Sequence, residues 1–266
     1  MTPGPKDALV GIAQPSSGWS CRVKRGRLAS RLNPTTMPAG KSLLSRLVRR
    51  GVFGQLVLVG VLFVPAGTLK FWPGWAFTLV NLISSFLFCI YFYKHDPQLL
   101  ERRLLTREKV NTQKRVMGLV KILYVVVCTL PGFDFRFGWT SRLIGPMPLW
   151  LMLPALLLVP LCYYIFFMVM KTNPFAASII QVEAGQTIAD TGPYHLVRHP
   201  LYAASTILWF AMPLALGSLV ALPAFILLVP LFILRLLNEE KILRRDLPGY
   251  AEYCQRTRHR LIPFVW

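Results

Sequence analysis

Charged side chains are scarce in this sequence. They make up 15% of its 266 residues, where a soluble domain carries nearer a quarter, so an ordinary water-soluble globule is excluded. The five cysteines (Cys21, Cys89, Cys128, Cys162 and Cys254) are scattered and form no CxxC pair, which argues against a zinc knot and a disulfide framework. No GxGxxG occurs, so the Rossmann fingerprint is missing. Four histidines are too few for a membrane di-iron centre, and no metal site is expected.

What the chain has in abundance is apolar surface: 54% hydrophobic residues, 12% aromatic, and a mean hydropathy of +0.49. Residues 1–40 are rich in Pro, Gly, Ser and Arg, lack an apolar stretch long enough for a signal peptide, and read as a disordered segment. KSLLSRLVRR at 41–50 is basic and amphipathic and is expected on the membrane surface. Membrane spans are expected at 52–71, 75–93, 116–131 and 149–170, with a turn at Trp72-Pro73-Gly74 and a loop over 131–148. The uncharged block 200–234 is too long for one crossing. Two legs turning at Gly217-Ser218 explain it, each short for a full crossing. The expected fold is an all-α integral membrane protein with five or six transmembrane segments, a C-terminal helical hairpin and a helical tail to about Arg256. It divides into 1–40, a four-span part at 41–171, and a functional core at 172–266.

The formal charge of +19 does not point to nucleic acid, because the basic residues lie between apolar spans rather than on one soluble face. With the N-terminus inside, 26 of the 30 Lys and Arg fall on the inner side and three (Lys70, Arg136, Arg142) outside. That bias sets a cytoplasmic N-terminus, C-terminus and functional core, with anionic lipid headgroups as partners.

Two polar elements then fall on the same side. The first is TGPYHLVRHPLYAAS at 191–205, at the lip of the uncharged block. Its His195 and His199 are spaced i, i+4, but Pro200 disfavours a helical His199, which spoils a metal pair. The second is Arg235 with the adjacent acids Glu239 and Glu240. An i, i+4 surface ion pair between Arg235 and Glu239 is the plain reading. A charge at the membrane edge is costly, which favours a function.

GPYHLVRHPLY, followed by R-x-x-x-EE-x-x-L from Arg235 and Y-x-x-Y…P-F from Tyr250, resembles the isoprenylcysteine carboxyl methyltransferase family. More loosely, so do DPQLLERRL at 96–104 and FDFRFGWT at 133–140. The resemblance implies S-adenosylmethionine as methyl donor. It assigns cofactor contacts to Gln181, Gln186, Thr187, Ile188, Ala189, Tyr194, His199, Pro200, Leu201, Tyr202 and Glu239, and a substrate-contacting role to Arg235. The implied acceptor is lipophilic, with a prenylated cysteine carboxylate leading and a small thiol or phospholipid amine as alternatives. Methyl transfer needs alignment and dehydration rather than a nucleophile or metal, and Arg235 suits a carboxylate. Two other readings stand beside it: an NADPH-dependent membrane sterol or enone reductase, and a non-catalytic transporter or assembly factor.

Overall fold

The computed structural model describes residues 41–104, 111–173, 175 and 186–266. The segment 1–40 and the candidate Gln181 lie outside the described residues. All but the first two residues of the described chain belong to one unit, Leu43–Trp266. Among the described residues the secondary structure is helical, with no strand. In order it comprises α1 (Lys41–Ala66), α2 (Trp72–His95), α3 (Pro97–Leu104), α4 (Asn111–Phe137), α5 (Trp139–Ile144) and α6 (Leu149–Thr172). Then follow α7 (Pro193–Leu196), α8 (Pro200–Ala215), α9 (Leu222–Ile226), α10 (Val229–Asp246) and α11 (Tyr250–Arg256).

Five stretches are long and apolar enough to cross a membrane: Leu43–Ala66, Trp72–His95, Gly118–Phe137, Leu149–Thr172 and Leu222–Asp246. Their outer surfaces expose Phe53, Val64, Leu87, Leu157 and Leu227, which water would not tolerate in such number and lipid does. This is the all-α integral membrane architecture that the apolar runs predict.

Four boundaries differ from the sequence reading, each for a local reason. The basic stretch 41–50 is the opening of α1 and not a separate surface element. Arg46 pairs with Glu101 at 2.9 Å and Arg50 Nη1 donates to the Leu104 carbonyl at 2.6 Å, so these side chains brace α1 against α3. Trp72-Pro73-Gly74 begins α2, because proline suits the first helical turn. The turn before it uses Gly67 at φ +64°. Pro131 does not end the third span, which runs on to Phe137; membrane helices tolerate an internal proline. The second hairpin leg is not short, since Leu222–Asp246 spans 25 residues. After a turn at Leu227-Leu228 between α9 and α10, its charged end is continuous with its apolar part through α10, which ends at Asp246 before Gly249, at φ +80°, turns the chain.

The hairpin does turn where expected, at Gly217 with φ +76°. α8 packs along α6 over the most extensive helix–helix interface. Around it Leu62, Phe63, Phe71, Val159, Met212, Phe225 and Leu228 form the main core. These contacts gain dispersion rather than transfer free energy, because lipid tails are as apolar as leucine. α4 crosses α1 closely: a Cβ at Gly132 would collide with the Leu62 carbonyl, so glycine is required there.

At the turn end of the hairpin, Asp134 is buried. It accepts hydrogen bonds from the Thr140 amide at 2.7 Å and from the Thr140 and Ser218 hydroxyls. Thr140 Oγ1 in turn accepts from the Leu219 amide at 2.9 Å, so this knot fixes the hairpin turn. Beside it lies a cavity of about 270 Å3 lined by Asp134, Gly138, Met147, Met152 and Gly217.

Candidate active site

At the other end of α8 the chain changes direction twice within ten residues. Gly192, at φ +56°, turns into α7 with Pro193 in its first turn. Val197 is extended (φ −141°, ψ 151°), and His199 precedes Pro200, which opens α8. His195 and His199 therefore belong to different elements and do not share a helix face. The extended stretch is captured by the tail: the Arg198 amide donates to the His259 carbonyl at 2.9 Å and the His199 amide to the Arg260 carbonyl at 3.0 Å. Tyr194 is held at both ends. Its carbonyl accepts from the Tyr253 hydroxyl at 2.7 Å, and its phenol accepts from Asn173 Nδ2 at 3.1 Å.

Glu240 is the centre of this junction. It is 3% exposed, and three cationic or potentially cationic side chains surround it. Arg198 Nη1 lies 3.2 Å and His199 Nε2 3.3 Å from its Oε1, and Arg260 Nε donates to its Oε2 at 3.0 Å. One buried carboxylate thus fastens the RHPLY bend, α10 and the 258–260 segment together. A buried charge so placed is tolerable only because it is multiply paired.

The neighbouring acid does something else. Glu239 faces a cavity of about 270 Å3, near the lower end of the size range of small-molecule sites, and accepts a 2.6 Å hydrogen bond from the Tyr202 hydroxyl. Arg235 is buried, lines the same cavity and meets the same hydroxyl. This is no solvated surface pair. Every described candidate borders this space. Gln186, Thr187, Ile188 and Ala189 form one wall. Tyr194, His199, Pro200, Leu201 and Tyr202 form a second, and Arg235 with Glu239 a third. The 186–189 wall is pinned to the tail, with Ile188 packed among Leu247, Tyr250 and Tyr253. Next to it, Asp190 pairs with Arg256 at 3.1 Å. Behind Tyr202, Phe232 (4.6 Å between ring centroids) and Trp209 (4.5 Å from Phe232) continue an aromatic layer towards the apolar core.

The sequence reading missed four contributors. Arg103 enters from α3, where only the ERRL motif hinted at it. Asn173 orients Tyr194. Tyr250 lines the cavity, and its buried hydroxyl has no hydrogen-bond partner among the described residues. Glu240 was noted but its role was not. Burial lowers the Arg103 guanidinium to about 10, partly offset by Tyr194 and Glu239, so it stays charged at neutral pH. Burial likewise pushes the Tyr194 phenol up to about 12, against the hydrogen bond from Asn173. Tyr194 therefore keeps its proton and is no general base at neutral pH.

Fold and site together define an integral membrane protein with a charged, aromatic-walled cavity where a helical hairpin meets its own tail. Residues 149–248, from α6 to just past α10, match the family model described as phospholipid methyltransferase. The chain is also similar to Delta(14)-sterol reductase TM7SF2 of Mus musculus, with 30% identity over 150 residues. That match covers 50% of this chain and 36% of the reductase, so the chain spans little more than a third of the curated relative's length. The family match points to membrane methyltransferases, and the reductase likeness shows that a second chemistry is carried by a related sequence.

Proposed function

We propose that this protein transfers a methyl group from S-adenosylmethionine to a lipophilic, membrane-partitioning acceptor. The leading acceptor is the carboxylate of an isoprenylcysteine-like molecule, reached at the cytoplasmic face. The observation that carries this reading is the convergence of Glu239, Tyr202 and the Gln186–Ala189 wall on one cavity that opens beside the membrane helices. The charge bias of the loops supports the cytoplasmic side.

The residues fit the cofactor on three counts. Glu239 suits its ammonium or ribose hydroxyls, and the Tyr194 and Tyr202 rings suit adenine or a sulfonium, since cations favour aromatic faces. The orphaned Tyr250 hydroxyl is a buried polar group that a ligand would satisfy. When bound, S-adenosylmethionine would supply an electrophilic methyl group on a good leaving group. The protein's part is to align the acceptor and exclude water. Arg235 would clamp an acceptor carboxylate through two parallel hydrogen bonds and leave one oxygen lone pair directed at the methyl carbon. A carboxylate needs no deprotonation, in keeping with a Tyr194 that cannot take a proton. A thiol or amine would need a base.

The reductase likeness favours one rival, an NADPH-dependent membrane sterol or enone reductase. The match of residues 149–248 to the phospholipid methyltransferase model supports methyl transfer over this rival. Titration calorimetry of the purified protein decides between them. S-adenosylmethionine binding without NADPH binding is the expected result. NADPH binding, enone reduction and no response to S-adenosylmethionine would overturn it.

A further inference from the structure

Two buried polar atoms on residues that line the cavity have no hydrogen-bond partner among the described residues: Arg198 Nε and the Tyr250 hydroxyl. The two side chains are 6% and 4% exposed, so bulk water does not meet them. They come from different elements, Arg198 from the link between α7 and α8 and Tyr250 from the start of α11. Neither is among the cofactor contacts that the family resemblance assigns. The rest of the Arg198 guanidinium is engaged: Nη1 lies 3.2 Å from Glu240 Oε1, and Nη2 donates to the Arg258 carbonyl at 3.3 Å. Burial, with Glu240 and Glu239 nearby, pushes the Tyr250 phenol above its ordinary range, so it keeps its proton and can donate. The same hydroxyl is within electrostatic reach of Arg198, which brings the two orphans to one region of the wall.

Unmet buried donors are destabilising and rare in native proteins, so a pair of them beside a cavity calls for a ligand group. Chemistry narrows which one. A guanidinium Nε can only donate, so its counterpart is an acceptor. A cationic donor bonds best to an anionic acceptor, and a carboxylate has lone pairs enough for both groups. S-adenosylmethionine carries one anionic group, the carboxylate of its amino-acid tail; its ribose and adenine offer neutral acceptors only. The ammonium borne by the same carbon suits Glu239, which lines this cavity and acts electrostatically on Tyr250. Resting on the methyl-transfer reading, we propose that Arg198 Nε and the Tyr250 hydroxyl bind the cofactor's carboxylate while Glu239 takes its ammonium. The link before α8, α10 and α11 then each give one group to reading an intact amino acid, and a nucleoside lacking that carboxylate is discriminated against.

The test is titration calorimetry of the full-length protein in detergent with three probes. They are S-adenosylmethionine, its decarboxylated form, which keeps the sulfonium and the amine, and methylthioadenosine, which has no charged tail. The wild type is expected to bind S-adenosylmethionine at least about tenfold tighter than the decarboxylated form, the worth of one charge-assisted hydrogen bond. Tyr250→Phe weakens S-adenosylmethionine severalfold and leaves the decarboxylated form within about twofold. Arg198→Lys, which keeps a cation beside Glu240 but deletes Nε, has the same selective effect. Glu239→Ala weakens both amine-bearing probes and spares methylthioadenosine. Equal wild-type affinities for the carboxylated and decarboxylated probes overturn the proposal. So does a Tyr250→Phe protein with unchanged S-adenosylmethionine affinity, or one that loses all three probes equally, which would put the hydroxyl on the nucleoside. Should Arg198→Lys not fold, Tyr250→Phe carries the test, since it only removes an unpartnered hydroxyl. A wild type that binds none of the three probes refutes methyl transfer and the carboxylate site together, whereas S-adenosylmethionine binding without the discrimination refutes the carboxylate site alone.

Discussion

Asp134 and Glu240 are equally buried carboxylates at the two ends of α8, a helix of 16 residues, or about 24 Å. Asp134 lines one cavity of about 270 Å3, and Arg198, His199 and Glu239 beside Glu240 line another of about the same volume, so size does not distinguish the two ends. Their partners do. Asp134 is met by hydroxyls and an amide, which close the hairpin turn. No Lys or Arg is among the described residues lining its cavity. Glu240 is met by guanidinium groups, with Arg103, Arg235 and Glu239 close by. Neutral donors quench a carboxylate and leave a structural knot. Charged donors leave a polarised wall that a charged ligand can use.

Glu240→Gln breaks this contrast most severely, because Arg198 and Arg260 lose their counter-charge. The expected loss is about 3–5 kcal/mol, read as a large fall in Tm in detergent, with cofactor binding lost as well. Asp134→Asn keeps the shape but cannot accept from all three donors. It is expected to cost about 1–3 kcal/mol by the same measurement and to leave cofactor affinity unchanged. Glu239→Ala tests the difference between the two adjacent acids. Tm is expected to move little while the calorimetric Kd for S-adenosylmethionine rises about tenfold. A Glu239 variant that unfolds like the Glu240 one would erase the distinction. Tyr250→Phe is the mildest change: stability unchanged or slightly raised, since an unpartnered hydroxyl is removed, and a severalfold weaker Kd for S-adenosylmethionine.

The spans were legible where charge was absent over a whole helix length, as in α6, and the hairpin turn where glycine interrupted such a run. Helix ends were less so. Arg46 and Arg50 looked like surface charges because their partners, Glu101 and the Leu104 carbonyl, lie on another helix. The meeting of RHPLY with the start of the tail followed from charge bias and the family resemblance. The division of labour between Glu239 and Glu240 did not, because adjacent residues on a helix point about 100° apart and only the docking of α10 decides which one faces inward. Arg103 was out of reach for the same reason: nothing in spacing links α3 to α10 until Leu99 and Leu100 are seen packed on Met170.

Beside the Glu240 ion pairs, the seam between Arg198-His199 and His259-Arg260 carries two main-chain hydrogen bonds. The matched segment ends at 248, before the second half of that seam. Amide-to-carbonyl stitching places few demands on residue identity and strict ones on chain path. Drift at 258–259 should therefore be well tolerated, whereas a proline at 198, which deletes an amide donor, or a single-residue insertion that shifts the register should unbuckle the joint. Substitution tables built from related sequences would rank 258–259 as permissive and miss how intolerant that stretch is of changes in backbone length.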